Sequence, residues 1–195
     1  MTHAIPVLAR VCLPSAPLNR ALRVALWDPD AVPAEWAAWE SDPIPPETSL
    51  REPQYRLRRL FPLIEANLRR SEVRLDDPLR DYLRMGVAHE KMRWEVVERV
   101  IDTALGSLKQ NRVTFLVSRG VALATSMYAQ PSLRHCHDLD LLVPKGEAAG
   151  AVRCLTNSGF VPTPAPPGSD SSSRWVTHPS GFPVGIHERL FRLTP

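Results

Sequence analysis

The chain has 195 residues, of which 44% are hydrophobic and 23% are charged. These values are close to those of globular proteins, so we expect a buried core and exclude wholesale disorder. The length suits one sizeable domain, or one small domain with a helical extension. The formal net charge of +3 does not by itself indicate nucleic-acid binding, because such domains usually concentrate far more positive charge on one face.

The cysteines and the N-terminus indicate the compartment. Cys12, Cys136 and Cys154 are irregularly spaced, which excludes a disulfide framework and a zinc-finger pattern. The N-terminal apolar stretch is broken by Pro6 and Arg10, and no basic segment precedes it, so it does not resemble a signal peptide. No run reaches the roughly 18 apolar residues that a membrane span needs. We therefore predict reduced thiols and a cytoplasmic protein.

The first half of the chain is predicted to be helical. Residues 1–53 suggest short helices with loops, and 54–70 and 79–111 carry apolar residues at helical spacing. A single helix over 79–111 would be about 50 Å long, so we expect a break near Gly86. We interpret these helices as packing elements without chemistry. Three tryptophans are expected to anchor the first segment: Trp27, Trp36 and Trp39.

From residue 111 the pattern changes to short strands alternating with helices. The order is strand, helix, strand, helix, strand and then a hairpin, so the fold class is α+β. We divide the chain into a helical N-terminal region, 1–110, and a core, 111–195. The Pro/Ser/Gly-rich loop 162–173 is expected to be mobile. The predicted elements lie at 113–117, 121–128, 138–143, 147–157, from 160, at 174–178 and at 182–187.

Asp138 and Asp140 form the first candidate site. Side chains alternate along a strand, so both carboxylates project from one face while Leu139 and Leu141 point into the core. Two neighbouring carboxylates repel each other unless a cation lies between them. Mg²⁺ suits such a pair because it takes oxygen ligands and keeps positions open for phosphates. A pair of this kind alone also occurs on solvated surfaces.

A second candidate is the strand-to-helix turn at Ser118, Arg119 and Gly120. Glycine lets a ligand approach the backbone, and the free N–H groups of the following helix suit a phosphate. The alternative is an ordinary tight turn. Arg134, four residues before Asp138, could contact phosphate or brace the strand.

Other polar groups are weaker candidates. His135, Cys136 and His137 are consecutive and cannot easily converge on one tetrahedral metal, so we interpret them as a polar loop. A set of arginines could touch RNA or form a solvated helix face, and no interleaved aromatics support stacking on bases. These arginines are Arg56, Arg58, Arg59, Arg69 and Arg70.

The combination of motifs is more specific than its parts. The segments VSRGVALATSMY, PSLRHCHDLDLLVP, LTNSGF and VGIHERL together resemble a bacterial family of largely uncharacterised nucleotidyltransferases in the DNA polymerase β-like superfamily. The resemblance is close over 113–191 and looser from about residue 54. It implies a short mixed sheet with helices on one side. It also implies transfer of a nucleoside monophosphate from NTP to an unidentified acceptor, with two Mg²⁺ ions bound.

The resemblance also implies roles for individual residues. Asp138 and Asp140 would bind metal and act in catalysis, and Arg119 stands where the family usually has lysine. The acceptor could be a small molecule, a peptide, a protein or an RNA. The nucleotide would be bound by Ser118, Arg119, Gly120, Arg134 and His187.

One departure from the family pattern divides the functional hypotheses. Gly185 stands where the family has an acid, two residues before His187, and Glu188 points to the other strand face. The first hypothesis is an active transferase, and the second is a degenerate domain that binds nucleotide or a partner protein without turnover. Because Val184 and Ile186 should face the core, we expect Gly185 in the cleft and expect Gly185→Asp to raise activity. Family members usually continue into further helices, so the core is expected to be truncated.

Overall fold

The computed structural model describes residues 16–26, 28–40, 58–75, 77–170 and 172–190. By packing, the chain divides into two compact units, Met1–Ala88 and His89–Pro195. Each unit has its own cluster of buried hydrophobic residues. The predicted regions 1–110 and 111–195 follow secondary structure instead, and that division stays a prediction.

The first unit is helical. Its described helices are α1 (Ala16–Leu26), α2 (Val32–Glu40), α3 (Phe61–Arg70) and the beginning of α4 (Asp77–Gln110). Trp36 is 3% exposed and anchors this core, as predicted, whereas the side chains of Trp27 and Trp39 lie outside the described residues. Residues 54–57 of the predicted third helix also lie outside them.

The long helix α4 corrects a prediction. It runs without interruption from Asp77 to Gln110, so the expected break near Gly86 is wrong. A Cβ atom at Gly86 would lie 2.7 Å from Cδ2 of Phe61 and 3.1 Å from its Cβ. Glycine at this position therefore lets the helix backbone pack closely against the Phe61 side chain, and it does not mark the end of a helix.

The second unit is built on a five-stranded mixed sheet with the order β1-β2-β5-β4-β3. Its strands β2 and β5 are parallel, and the other neighbours are antiparallel. The α+β class is thereby confirmed. The strands are β1 (Leu116–Ser118), β2 (Leu139–Leu142), β3 (Val161–Thr163), β4 (Arg174–Thr177) and β5 (Pro183–His187).

Helices cover one face of this sheet. The helix α5 (Arg119–Met127) packs on β1 and β2, and α6 (Ala148–Asn157) packs on β3, β4 and β5. Apolar residues of α4 join the same core, among them Val100 and Leu108, which are fully buried. Because this face is filled, polar side chains that alternate with the core residues of β2 and β5 must project from the other face.

Candidate active site

One row of residues crosses the sheet and defines the site. Asp140 on β2 is paired with Ser118 on β1 and with Gly185 on β5. Gly185 is paired in turn with Trp175 on β4. Leu139 and Leu141 are fully buried, so Asp140 projects from the opposite face of β2, as the alternation predicts. Asp138 lies one residue before the strand and is partly buried.

Two side chains contact the carboxylate of Asp140, those of His187 and Arg119. Nε2 of His187 donates to Oδ1 of Asp140 at 2.7 Å, and both side chains are at least 90% buried. An Nη atom of Arg119 lies 3.4 Å from the same oxygen, with 54% of the arginine side chain exposed. The histidine contact is therefore the short and sheltered one, while the arginine contact is long and screened by water.

The pKa of Asp138 is raised in the folded chain. Burial raises its pKa above the ordinary value, and the neighbouring charge of Asp140 raises the pKa further. The charges of Arg119 and His187 act in the opposite direction but do not reverse the shift. The charge of Asp140 thus disfavours ionisation of Asp138, and added positive charge would relieve this effect.

The turn between β1 and α5 has unusual backbone geometry. Arg119 has φ = 56°, in the left-handed region that non-glycine residues rarely adopt. Such a conformation costs on the order of 1 kcal/mol. The glycine that follows, Gly120, is not responsible for the bend, and a Cβ atom there would meet only Sγ of Cys136, at 3.7 Å. The left-handed conformation at this turn therefore belongs to Arg119 rather than to the glycine.

Arg134 lies against this turn. Its Nε donates to the carbonyl oxygen of Gly120 at 3.2 Å, and its guanidinium lies over the ring of Tyr128, 5.9 Å from the centroid. Arg134 therefore braces the backbone at Gly120 rather than β2, and its contact with phosphate stays a prediction.

The segment before Asp138 is tied to α4. Nδ1 of His135 lies 2.7 Å from Oε1 of Glu90, and Arg93 donates to the carbonyl oxygen of Cys136 at 2.7 Å. Burial acts to raise the pKa of Glu90, but the bond to His135 and nearby positive charges outweigh it and lower that pKa. Burial raises the pKa of Cys136 to about 11, so its thiol stays protonated. The side chain of His135 thus contacts Glu90, whereas Sγ of Cys136 lies 3.7 Å from the carbonyl oxygen of Arg134.

Gly185 lies beside Asp140, where the sequence placed it, and Val184 and Ile186 are fully buried as predicted. The space for a side chain is nevertheless taken. A Cβ atom at Gly185 would lie 2.7 Å from Nε2 of His187 and 2.9 Å from Cη2 of Trp175. The expectation that an aspartate could simply be restored at this position therefore meets a steric obstacle.

The cleft beside these residues has a volume of about 310 Å³, within the range of small-molecule sites. Asp138, Arg119 and His187 line it, whereas Asp140 is 2% exposed and is bonded to two of these three. Four of the predicted site residues thus lie at or beside one cavity, whereas Ser118, Gly120 and Arg134 are not among its described lining residues.

Sequence reasoning missed one wall of the cleft. Pro166–Asp170 of the Pro/Ser/Gly-rich loop line it, together with Trp175 and Arg189. The loop is tied down at its end: Ser173 donates to the carbonyl oxygen of Asp170 at 2.6 Å and accepts from Nε1 of Trp175 at 3.2 Å. The loop thereby brings a second carboxylate, Asp170, to the cleft. Mobility of this loop stays a prediction.

Glu188, the other acid near the end of β5, is engaged elsewhere. Its Oε1 accepts from the backbone N–H groups of Gly146 and Ala148 at 3.0 and 3.1 Å. It therefore satisfies free donors at the beginning of α6 and lies away from the Asp140 face, as strand alternation predicted.

Residues 54–195 match a protein family described as an uncharacterised nucleotidyltransferase. The match covers well over half of the chain, which therefore belongs to this family, and membership implies a nucleotide substrate. No curated protein and no solved structure matches the chain significantly. None of the described helices is both long and apolar enough to cross a lipid bilayer.

Proposed function

We propose that the chain binds an NTP in the cleft beside Asp138 and transfers its nucleoside monophosphate to an acceptor, with release of pyrophosphate. The observation that carries this proposal is the convergence of Asp138, Asp140, Arg119 and His187 at one cavity next to a strand-to-helix turn. The family match supports it, and we propose that the family fold is that of the polymerase β-like superfamily.

The residues present fit one Mg²⁺ ion. Mg²⁺ is commonly held by one or two carboxylates and substrate phosphates rather than by a closed protein cage. Across the described residues, no group of three or more His, Cys, Asp or Glu side chains could enclose a metal. Asp138 and Asp140 would supply the two carboxylates. Burial and the charge of Asp140 both raise the pKa of Asp138, and a cation would relieve the second of these effects. A bound Mg²⁺ would neutralise charge that develops on phosphate oxygens.

Other residues at or near the cleft would bind the triphosphate and position the carboxylates. Arg119, at the strained turn, is placed to pair with the triphosphate, and its planar fork suits phosphate oxygens. His187 fixes the orientation of Asp140 through their 2.7 Å hydrogen bond. Arg134 holds the backbone of Gly120, where phosphate would approach the first turn of α5.

A second candidate function, nucleotide binding without turnover, is favoured by one observation. The position beside Asp140 on β5 has no carboxylate and no room for one, because Trp175 and His187 fill it. A site of this kind would keep the cation at Asp138 and Asp140 but would lack a third ligand from β5 for a second ion. In this second function the cleft would hold one ion rather than two.

The test compares nucleotide binding with turnover. Calorimetry of NTP binding with and without Mg²⁺ should show tighter binding with the metal, and Asp138→Asn should remove most of that gain. Asp102→Asn, the same change at an exposed position of α4, serves as the control. Equal NTP affinity with and without Mg²⁺ would contradict the proposal.

Label transfer from NTP to components of a cell extract then separates the two functions. Transfer that is lost in Asp138→Asn identifies a transferase, whereas Mg²⁺-dependent binding without transfer identifies the binder. Both measurements use the full chain.

A further inference from the structure

A second cavity, of about 410 Å³, lies in the first unit between the end of α3 and the beginning of α4. Its volume also falls within the range of small-molecule sites. Three apolar side chains and five charged ones line it. The apolar ones are Leu68, Val73 and Leu75, and the charged ones are Glu65, Arg69, Arg74, Arg80 and Arg84.

The base of this arginine pocket is fixed by the turn that ends α3. Glu72 has φ = 54°, and its N–H donates to the carbonyl oxygen of Arg69 at 3.3 Å. The N–H of Val73 donates to the carbonyl oxygen of Leu68 at 3.0 Å. These bonds form the Schellman arrangement, in which the residues at the positions of Leu68 and Val73 commonly make an apolar contact. These backbone hydrogen bonds therefore fix the side of the pocket that is formed by the end of α3 and the following turn.

The charge of the described lining is strongly positive. Four arginines stand against one glutamate, a formal charge of +3 equal to that of the whole chain. The distance across such a cavity is comparable to the screening length of about 8 Å at physiological salt. The charges that line it therefore repel or attract one another. The ion pair of Arg84 with Asp81 is 3.9 Å long and both side chains are mostly exposed, so it offsets little of this charge.

We propose that the arginine pocket binds a small organic ligand that carries at least two phosphate groups. Guanidinium groups pair with phosphate oxygens through two parallel hydrogen bonds, and Leu68, Val73 and Leu75 offer an apolar surface to the rest of the ligand. The described lining contains no aromatic side chain on which bases of single-stranded RNA could stack. The described lining of the arginine pocket has no residue in common with that of the cleft at Asp138, and the proposal does not rest on the proposed reaction.

Neighbouring arginines at the end of α3 provide a matched test. Arg69 and Arg70 are both exposed, but only Arg69 is among the described lining residues of the pocket. ADP is titrated by calorimetry into the full chain in EDTA, with Arg69→Met and Arg70→Met compared. Loss of a charge-assisted hydrogen bond should weaken ADP binding about tenfold in Arg69→Met. Arg70→Met should bind like the wild type. Arg74→Met, a change in the connector rather than in a helix, should repeat the loss.

The outcomes separate this proposal from its alternatives. Equal effects of Arg69→Met and Arg70→Met would overturn it, since they would show general attraction to a basic surface. Tighter binding of a single-stranded RNA 10-mer than of ADP, weakened by both changes, would also overturn it. Because an NTP could also enter the arginine pocket, the proposed function is tested in the Arg69→Met background, where that pocket is weakened. Its failure would appear there as NTP affinity that neither Mg²⁺ nor Asp138→Asn changes.

Discussion

The indole ring of Trp175 occupies space that a side chain at Gly185 would need, with Cη2 2.9 Å from the position of a Cβ atom. The two residues are paired across β4 and β5, and Gly185 is paired on its other side with Asp140. The lack of a side chain at Gly185 therefore leaves room for Trp175 and His187 to pack beside Asp140.

Gly185→Asp is consequently expected to destabilise the protein and to leave activity unimproved. Forcing atoms into a packed position costs about 1–3 kcal/mol, and here Trp175 and Nε2 of His187 would both have to move. Thermal unfolding and pyrophosphate release measure the two effects. The double variant Gly185→Asp/Trp175→Leu should recover part of the stability. If Gly185→Asp were as stable as the wild type and released more pyrophosphate, the packing argument would be wrong.

Gly120→Ala tests whether phosphate approaches the turn before α5. A Cβ atom would make only an ordinary contact, 3.7 Å from Sγ of Cys136, and alanine favours a helix over glycine by up to about 1 kcal/mol. Stability should therefore be unchanged or slightly higher, while Mg²⁺-dependent NTP binding should weaken several-fold. Calorimetry and thermal unfolding of the same sample provide both values. Unchanged NTP affinity would place the phosphates away from Gly120.

The parts of the site that follow from local pattern could be predicted from the sequence. Alternation along β2 and β5 placed Asp140 and Gly185 opposite the buried residues Leu139 and Ile186, because strand geometry repeats every two residues. The hydrogen bond between His187 and Asp140 has no local signal, since it depends on the parallel pairing of strands 47 residues apart.

Features that depend on distant residues could not be predicted in this way. Gly86 suggested a helix break, but the reason for glycine there is the Phe61 side chain, 25 residues earlier. The Pro/Ser/Gly composition of 162–173 predicted a mobile loop and gave no sign that Asp170 would line the cleft. The requirement for glycine at position 185 likewise depends on the pairing of β4 with β5, which brings Trp175 next to it.

The glycines of α4 offer a matched pair. At Gly86 a Cβ atom would lie 2.7 Å from a ring carbon of Phe61, whereas at Gly106 it would meet nothing within 4 Å. Gly86→Ala should therefore lower the free energy of unfolding by about 1–3 kcal/mol. Gly106→Ala should raise it by up to about 1 kcal/mol, since alanine is the better helix former. Urea unfolding followed by circular dichroism measures both. Two variants with the same sign of change would contradict the packing assigned to Gly86.

The raised pKa of Asp138 predicts a pH-dependent cost in stability. Its pKa is higher in the folded than in the unfolded chain, so between the two values the unfolded state binds fewer protons. Stability therefore falls as pH rises through that window, and the full cost is present at neutral pH. Asp138→Asn removes the cost and should raise the melting temperature at pH 7 in EDTA.

The same variant should lose its advantage at low pH, where Asp138 is protonated in both states of the wild type. Mg²⁺ should stabilise the wild type at pH 7 and have less effect on Asp138→Asn, because the cation relieves the repulsion between Asp138 and Asp140. Asp102→Asn, at an exposed position of α4, controls for the loss of one negative charge. Differential scanning calorimetry of the three proteins from pH 3 to pH 8 tests this directly. A melting temperature for Asp138→Asn that is lower than the wild type at pH 7 would show that the charged carboxylate stabilises the fold, contrary to the repulsion inferred here.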